Sequence, residues 1–260
     1  MNRIDKVFKT GRKVFVPYIT AGYPSVDETI TIMHDLVANG ADIIELGYPF
    51  SDPTADGPVI QVSSQQSLEA GFRRDDYFRI LSTFREKDQD TPVVVFSYFN
   101  PIFNLGVETF ARRAKEAGGD GFLVVDVPFE EQPELRPTLD ALDLHLIQLI
   151  APTTPQERAR TILANATGFV YQIARRGVTG MRTTMAEDAS ENARLIKDVT
   201  DLPIALGFGV STPEQAAAIA SYTDGVVVGS AIVKTITDNL PDYQPSLQNL
   251  IKGLADAIHS

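Results

Sequence analysis

The run Ile43-Ile44-Glu45-Leu46-Gly47-Tyr48-Pro49-Phe50-Ser51-Asp52-Pro53-Thr54-Ala55-Asp56-Gly57-Pro58 holds two carboxylates in contrasting company. It opens as an apolar strand with Glu45 in its second half, then breaks into a Pro- and Gly-rich loop carrying Asp56. A glutamate in a hydrophobic strand is costly to bury, because its charge loses hydration. In such surroundings a carboxyl pKa rises, and the group can exchange protons near neutral pH. The structural alternative is a Glu paired with an Arg or Lys inside the fold. Asp56, just before Gly57-Pro58, is equally readable as a turn or helix-start residue. Two carboxylates in different surroundings can divide work, one moving protons and the other holding charge.

Two glycine clusters suggest an anion site. Gly207-Phe208-Gly209 and Gly229-Ser230 each end an apolar run, and the second opens a helix. Glycines let backbone N–H groups approach a ligand, and a helix N-terminus attracts anions. Arg175-Arg176-Gly177-Val178-Thr179-Gly180-Met181-Arg182-Thr183-Thr184 is polar and glycine-punctuated, and reads either as a lid that excludes water or as an ordinary loop. The formal net charge is −11 with no Lys/Arg block, which disfavours nucleic acid and anionic membranes as partners. The three histidines, His34, His145 and His259, are far apart and form no spaced metal-ligand set. Cysteine is absent, so disulfides and thiolate metal sites are excluded, as suits a cytoplasmic protein. Met1-Asn2-Arg3-Ile4-Asp5 leads into no stretch of signal-peptide length, and the apolar run Gly225–Val233 is too short to span a bilayer.

The elements that must position these groups follow from periodicity. Apolar runs recur at Val14–Thr20, Ala41–Gly47, Pro92–Tyr98, Gly121–Val127, Leu144–Ala151, Gly168–Ala174, Pro203–Phe208 and Gly225–Gly229. Most are continuously apolar, as expected of parallel strands covered by helices. Helix-start patterns intervene: Ser25-x-x-Glu28 has capping-box spacing, and Thr154-Pro155 and Thr212-Pro213 repeat it with Pro at the first helical position. Leu247, Leu250, Ile251, Leu254 and Ile258 form the stripe of a terminal helix that docks on the body. The expected architecture is α/β, a single (β/α)8 TIM barrel over residues 1–260 with extra terminal helices. A doubly wound open sheet is the alternative, weakened because Thr20-Ala21-Gly22-Tyr23-Pro24 lacks the dinucleotide fingerprint. If Ala41, Ile43 and Gly47 point into the barrel, Glu45 does too, at the catalytic C-terminal end of its strand. Loops after the last two strands are where such barrels bind phosphate.

These residues resemble the tryptophan synthase α-subunit family across the whole chain. The most specific stretch is Glu45 to Pro58, supported by Pro17-Tyr18-Ile19-Thr20-Ala21-Gly22-Tyr23-Pro24, Asp126-Val127-Pro128, Gly177-Val178-Thr179-Gly180, Gly207-Phe208-Gly209 and Gly229-Ser230. The resemblance implies retro-aldol cleavage of indole-3-glycerol phosphate to indole and glyceraldehyde 3-phosphate, late in tryptophan biosynthesis and without a cofactor in this chain. By position, Glu45 becomes the general acid/base, and Asp56 accepts a hydrogen bond from the indole N–H. Tyr18, Phe96, Leu123 and Tyr171 form the pocket. Gly180, Gly207, Gly209, Gly229 and Ser230 surround the phosphate, and Thr179 closes with the lid onto Asp56. The resemblance also implies a partner, a pyridoxal-phosphate β subunit in an α2β2 complex, met by Pro53-Thr54 and Asn100-Pro101-Ile102-Phe103-Asn104.

Two positions depart from the family pattern. Ala174-Arg175-Arg176 stands before Gly177 where the family often has serines, and Tyr18 replaces a common Phe, adding a hydroxyl. Neither removes a proton-transfer group. The competing functional readings are a non-catalytic allosteric partner of β and a stand-alone lyase releasing free indole. Retention of both Glu45 and Asp56 argues against the first. The role of Asp126, scaffold or site, stays open.

Overall fold

The computed structural model describes residues 1–173, 182–207 and 209–260, with backbone alone over 182–188. Its strands are β1 (Val14–Thr20), β2 (Ile44–Gly47), β3 (Val93–Ser97), β4 (Gly121–Val124), β5 (His145–Leu146), β6 (Gln148–Ile150), β7 (Val170–Ile173), β8 (Ile204–Gly207) and β9 (Gly225–Val228). All pairings are parallel, in the order β5-β4-β3-β2-β1-β9-β8-β7-β6. The two ends of that order are halves of one stretch, interrupted at Ile147, whose N–H still bonds the Phe122 carbonyl at 2.8 Å. The interrupted stretch is the fifth expected strand, so the nine segments close as an eight-stranded barrel.

The helices, most of which cover the outside, are α1 (Arg3–Phe8), α2 (Val26–Ala38), α3 (Pro58–Glu69), α4 (Arg74–Arg85), α5 (Phe99–Leu105), α6 (Val107–Ala117), α7 (Arg136–Ala141), α8 (Gln156–Leu163), α9 (Arg182–Lys197), α10 (Pro213–Ala220), α11 (Ser230–Asp238) and α12 (Gln244–His259). Among the described residues no helix is long and apolar enough to cross a membrane.

Period-two alternation splits the apolar side chains into layers. Val14, Val16, Ile43, Val94, Leu123, Ile147, Phe169, Tyr171, Ala205 and Val227 fill the interior. Their outward neighbours, such as Phe15, Ile44, Leu46, Val95 and Phe122, pack beneath the helices. Ala41 belongs to this outer layer, and β2 begins only at Ile44, so the inward expectation holds for Ile43 and Gly47 and fails for Ala41. Ala41 lies in the turn after α2, where its N–H bonds back to the Leu36 carbonyl, so strand alternation does not extend to it.

The short helix α1 plugs the N-terminal end of the barrel. Ile4 joins the interior cluster, and the Phe8 ring lies 5.5 Å from that of Phe169. Asn2 accepts from the Ile4 N–H and donates to the Asp120 and Asp143 carbonyls, which ties the plug to the rim. Arg3 and the buried Arg85 both bind Asp120, whose carboxylate also accepts from the Val93 N–H. With one end plugged, access to the interior lies at the C-terminal ends of the strands.

At the other terminus, Leu247, Ile251, Leu254 and Ile258 are buried on α12, and His259 bonds Asp42 at 2.8 Å. The docked terminal helix is as expected. The helix starts are simpler than the sequence suggests. Ser25 accepts from the Glu28 N–H, but the Glu28 carboxylate bonds the Tyr243 hydroxyl rather than closing a capping box. Thr212 caps α10 through the Gln215 N–H, whereas α8 starts one residue late, with Pro155 as its N-cap and Thr154 accepting from the Ala151 N–H.

Candidate functional site

Glu45 faces the barrel interior level with Tyr18 on β1 and Val94 on β3. It is 1% exposed, and its Oε1 has no hydrogen-bond partner. Among the described residues no Arg or Lys pairs with it, which argues against the structural alternative of an internal ion pair. Burial alone pushes its pKa up to about 8. At neutral pH the group therefore holds its proton and can give it up within reach of physiological conditions.

Asp56 returns to the same mouth on the loop between β2 and α3. Pro58 occupies the first helical position and Gly57 the N-cap, which fixes where that loop ends. Serines on α3 hold the neighbouring loops: Ser64 both accepts from the Phe50 N–H and donates to its carbonyl, and Ser67 donates to the Ala21 carbonyl. The Tyr98 hydroxyl donates to Asp56 Oδ2 at 2.9 Å and accepts from the Ala55 N–H at 3.0 Å. Burial raises the Asp56 pKa to about 6, with the Tyr98 hydrogen bond opposing the rise. The two carboxylates thus differ in the way division of labour requires: Glu45 is protonated and Asp56 mostly ionised near neutral pH.

The pocket walls come from the same strand ends. The Tyr18 and Phe96 rings meet edge-on at 5.0 Å and 76°. Gly47, Phe96 and Leu123 lie level on β2, β3 and β4. Burial raises the Tyr18 and Tyr171 phenol pKa values well above the usual, and both carboxylates add to each rise. Tyr18, Glu45, Asp56 and Tyr171 therefore share one mouth. Glycine makes room for both rings: a Cβ at Gly47 would fall 2.1 Å from the Tyr18 hydroxyl, and one at Gly207 would fall 2.1 Å from that of Tyr171.

Gly207 ends β8, and Gly209 has φ +79° with open space where a side chain would stand. Gly229 is the N-cap of α11 and Ser230 its first residue. First-turn amides of such a helix lack backbone acceptors, so this corner suits an anion. Thr179 and Gly180, with the rest of the expected lid up to Met181, and Phe208 lie outside the described residues, whereas Arg182-Thr183-Thr184 open α9. Among the described residues no group of three or more His, Asp or Glu comes together to hold a metal.

Asp126 has a structural contact. Its Oδ1 accepts from the Phe99 N–H at 2.7 Å, fixing the start of α5. Tyr98 was not singled out from the sequence. It stands just after β3, at the N-cap of α5, and no local pattern ties it to Asp56.

The comparisons with known proteins agree over the full length. A family model described as tryptophan synthase alpha chain matches residues 4–258. The tryptophan synthase alpha chain of Novosphingobium aromaticivorans is 43% identical over 260 residues, covering 100% of this chain and 98% of the relative. That of Halorhodospira halophila is 46% identical, covering 99% and 97%. The crystal structure of tryptophan synthase subunit alpha from Legionella pneumophila superposes with a TM-score of 0.91 at 37% identity, covering 99% of this chain and 98% of that one. A structure of the tryptophan synthase α2β2 complex from Pyrococcus furiosus gives 0.88 at 37% identity, covering 94% and 99%. The chain belongs to the tryptophan synthase alpha chain family.

Proposed function

We propose that this lyase cleaves indole-3-glycerol phosphate to indole and glyceraldehyde 3-phosphate, with Glu45 as general acid/base and Asp56 as charge stabiliser. The observation that carries the reading is the buried Glu45 carboxyl, its Oε1 without a partner among the described residues, sharing a barrel mouth with the partly buried Asp56. Protonated Glu45 gives its proton to the ring carbon that bears the glycerol phosphate chain. The ring nitrogen becomes an iminium, and its N–H donates to the Asp56 carboxylate. The Glu45 carboxylate then takes the proton of the adjacent glycerol hydroxyl. That oxygen forms the aldehyde C=O, the carbon–carbon bond breaks, and its electron pair returns to the ring as indole. One proton enters and one leaves, so the residue ends as it began.

The remaining roles follow the same reading. Tyr18, Phe96, Leu123 and Tyr171 enclose the ring. Gly207, Gly209, Gly229 and Ser230, with Gly180, take the phosphate, supported by the glycine corner and the start of α11. Thr179 closes over Asp56. The chain uses no cofactor of its own, and pyridoxal phosphate belongs to a β subunit with which it forms an α2β2 complex. Phe103, 61% exposed on α5, and Pro53-Thr54 form part of the surface for that partner.

Indole release tests the reading, and the absence of Trp leaves little spectroscopic background from the chain itself. Turnover of indole-3-glycerol phosphate by the purified chain, raised by added β subunit, is the expected result. No release in either setting would overturn the enzyme assignment of the site.

A further inference from the structure

Tyr98 is buried at the end of β3, at the N-cap of α5, yet its hydroxyl belongs to the loop that carries Asp56. A single oxygen serves two groups there. It donates to Asp56 Oδ2 at 2.9 Å and accepts from the Ala55 N–H at 3.0 Å, one residue earlier in the chain. The ring cannot swing away, because it stacks on Phe50 at 5.2 Å and 33°, and the Phe50 backbone is itself held on both sides by Ser64. The backbone after it is pinned as well, by Asp126 on the Phe99 N–H. Among the described residues Asp56 has no cationic partner, and the Tyr98 phenol is the side chain that holds its carboxylate.

The geometry points to Tyr98 as a positioning residue that acts through Asp56, fixing both the direction of the carboxylate and the backbone that presents it. The inference rests on the proposed role of Asp56 and deepens it. Because the phenol donates to the charged form, it also opposes the rise that burial imposes on the Asp56 pKa. It serves the reaction by keeping the carboxylate both aimed and ionised when the ring nitrogen acquires its charge. A second consequence is mechanical: Tyr98 joins the loop of Asp56 to α5, so neither can shift without the other.

The test is Tyr98→Phe in the full chain, which keeps the ring stacked and removes the oxygen. Carbon-13 NMR of labelled aspartate carboxyls, with Asp56→Asn to identify the resonance, reads the titration midpoint directly. We expect that midpoint to move up by roughly one pH unit, as loss of a hydrogen bond to a charged group implies. We also expect kcat for indole release to fall roughly tenfold with KM little changed, and the acid limb of the rate profile to move up with the midpoint. An unchanged midpoint, or a midpoint that falls, overturns the assignment. The lyase reading fails separately: a wild-type chain that releases no indole, or an Asp56→Asn chain with full turnover, would sink it even while the NMR shift showed Tyr98 holding Asp56.

Discussion

Tyr18 on β1 lies across Gly47 on β2, with its hydroxyl, Cζ and Cε2 atoms 2.1, 2.6 and 2.7 Å from where a Cβ at residue 47 would stand. A single hydrogen in place of a side chain thus decides where the ring sits, and the ring forms one wall of the mouth that holds Glu45. Gly207 on β8 and Tyr171 on β7 repeat the arrangement, with β9 between β8 and β1. Gly47→Ala is expected to push the Tyr18 ring aside, costing about 1–3 kcal/mol of stability through overpacking and lowering kcat/KM at least tenfold. Combining it with Tyr18→Ala removes the clash, so a double-mutant cycle by denaturant unfolding should show strong coupling. Additive effects would mean the two residues do not constrain each other.

The pH dependence of kcat/KM reports the two carboxylates in the free protein. Glu45 must be protonated to act as the acid, so activity is lost as pH rises through about 8. Asp56 must be ionised, so activity is lost as pH falls through about 6. A bell between those limits is the expected profile. The substrate phosphate also titrates near 6. The acid limb is therefore assigned by its displacement in Tyr98→Phe, which leaves the phosphate untouched. A profile flat from about pH 5 to about pH 9 would contradict both assignments.

Burial of Glu45 also leaves a thermodynamic signature. Its carboxyl titrates near 4.5 when unfolded and at about 8 when folded, so the folded state binds the proton more tightly. The penalty for burying it is absent below about 4.5, grows as pH rises towards 8, and is constant above, reaching about 5 kcal/mol. Glu45→Gln lacks this titration. Urea unfolding at about pH 5 and about pH 8.5 should show the variant gaining several kcal/mol on the wild type between the two conditions. A difference independent of pH would mean that Glu45 is not held in a dry site.

Phe103 stands 61% exposed on α5, its ring 5.7 Å from that of Phe99. Phe103→Asp should leave indole release by the isolated chain unchanged while weakening association with a β subunit more than about tenfold, as loss of an aromatic anchor does at interfaces. Calorimetric titration against β measures it. Equal affinity for variant and wild type would place the contact elsewhere.

Much of this was legible in the sequence, for physical reasons that differ from place to place. Continuously apolar runs such as Val14–Thr20 and Gly225–Gly229 signal strands covered on their outer face, and eight of them in series imply the barrel. Period two placed Glu45 inward because β2 is regular from Ile44 to Gly47. The same rule failed at Ala41, which lies before the strand in a turn whose hydrogen bonds run back to α2. The break at Ile147 leaves no mark in composition, because Ile147 is as apolar as the residues a strand there requires. Thr154 looked like an N-cap, but its hydroxyl meets the Ala151 N–H instead. Tyr98 escaped notice because a tyrosine in an apolar run reads as core. Its role depends on a contact with Asp56, forty-two positions away in the chain, which local pattern does not reveal.

The measurement closest to the central claim is turnover of indole-3-glycerol phosphate by Glu45→Gln, with ligand binding measured on the same preparation. Glutamine keeps the shape of the side chain and cannot carry the proton. We expect indole release to fall by roughly 10²–10⁴-fold, the usual weight of a general acid/base, while affinity for the phosphate ligand stays close to that of the wild type. Release at the wild-type rate would show that Glu45 does not move the proton.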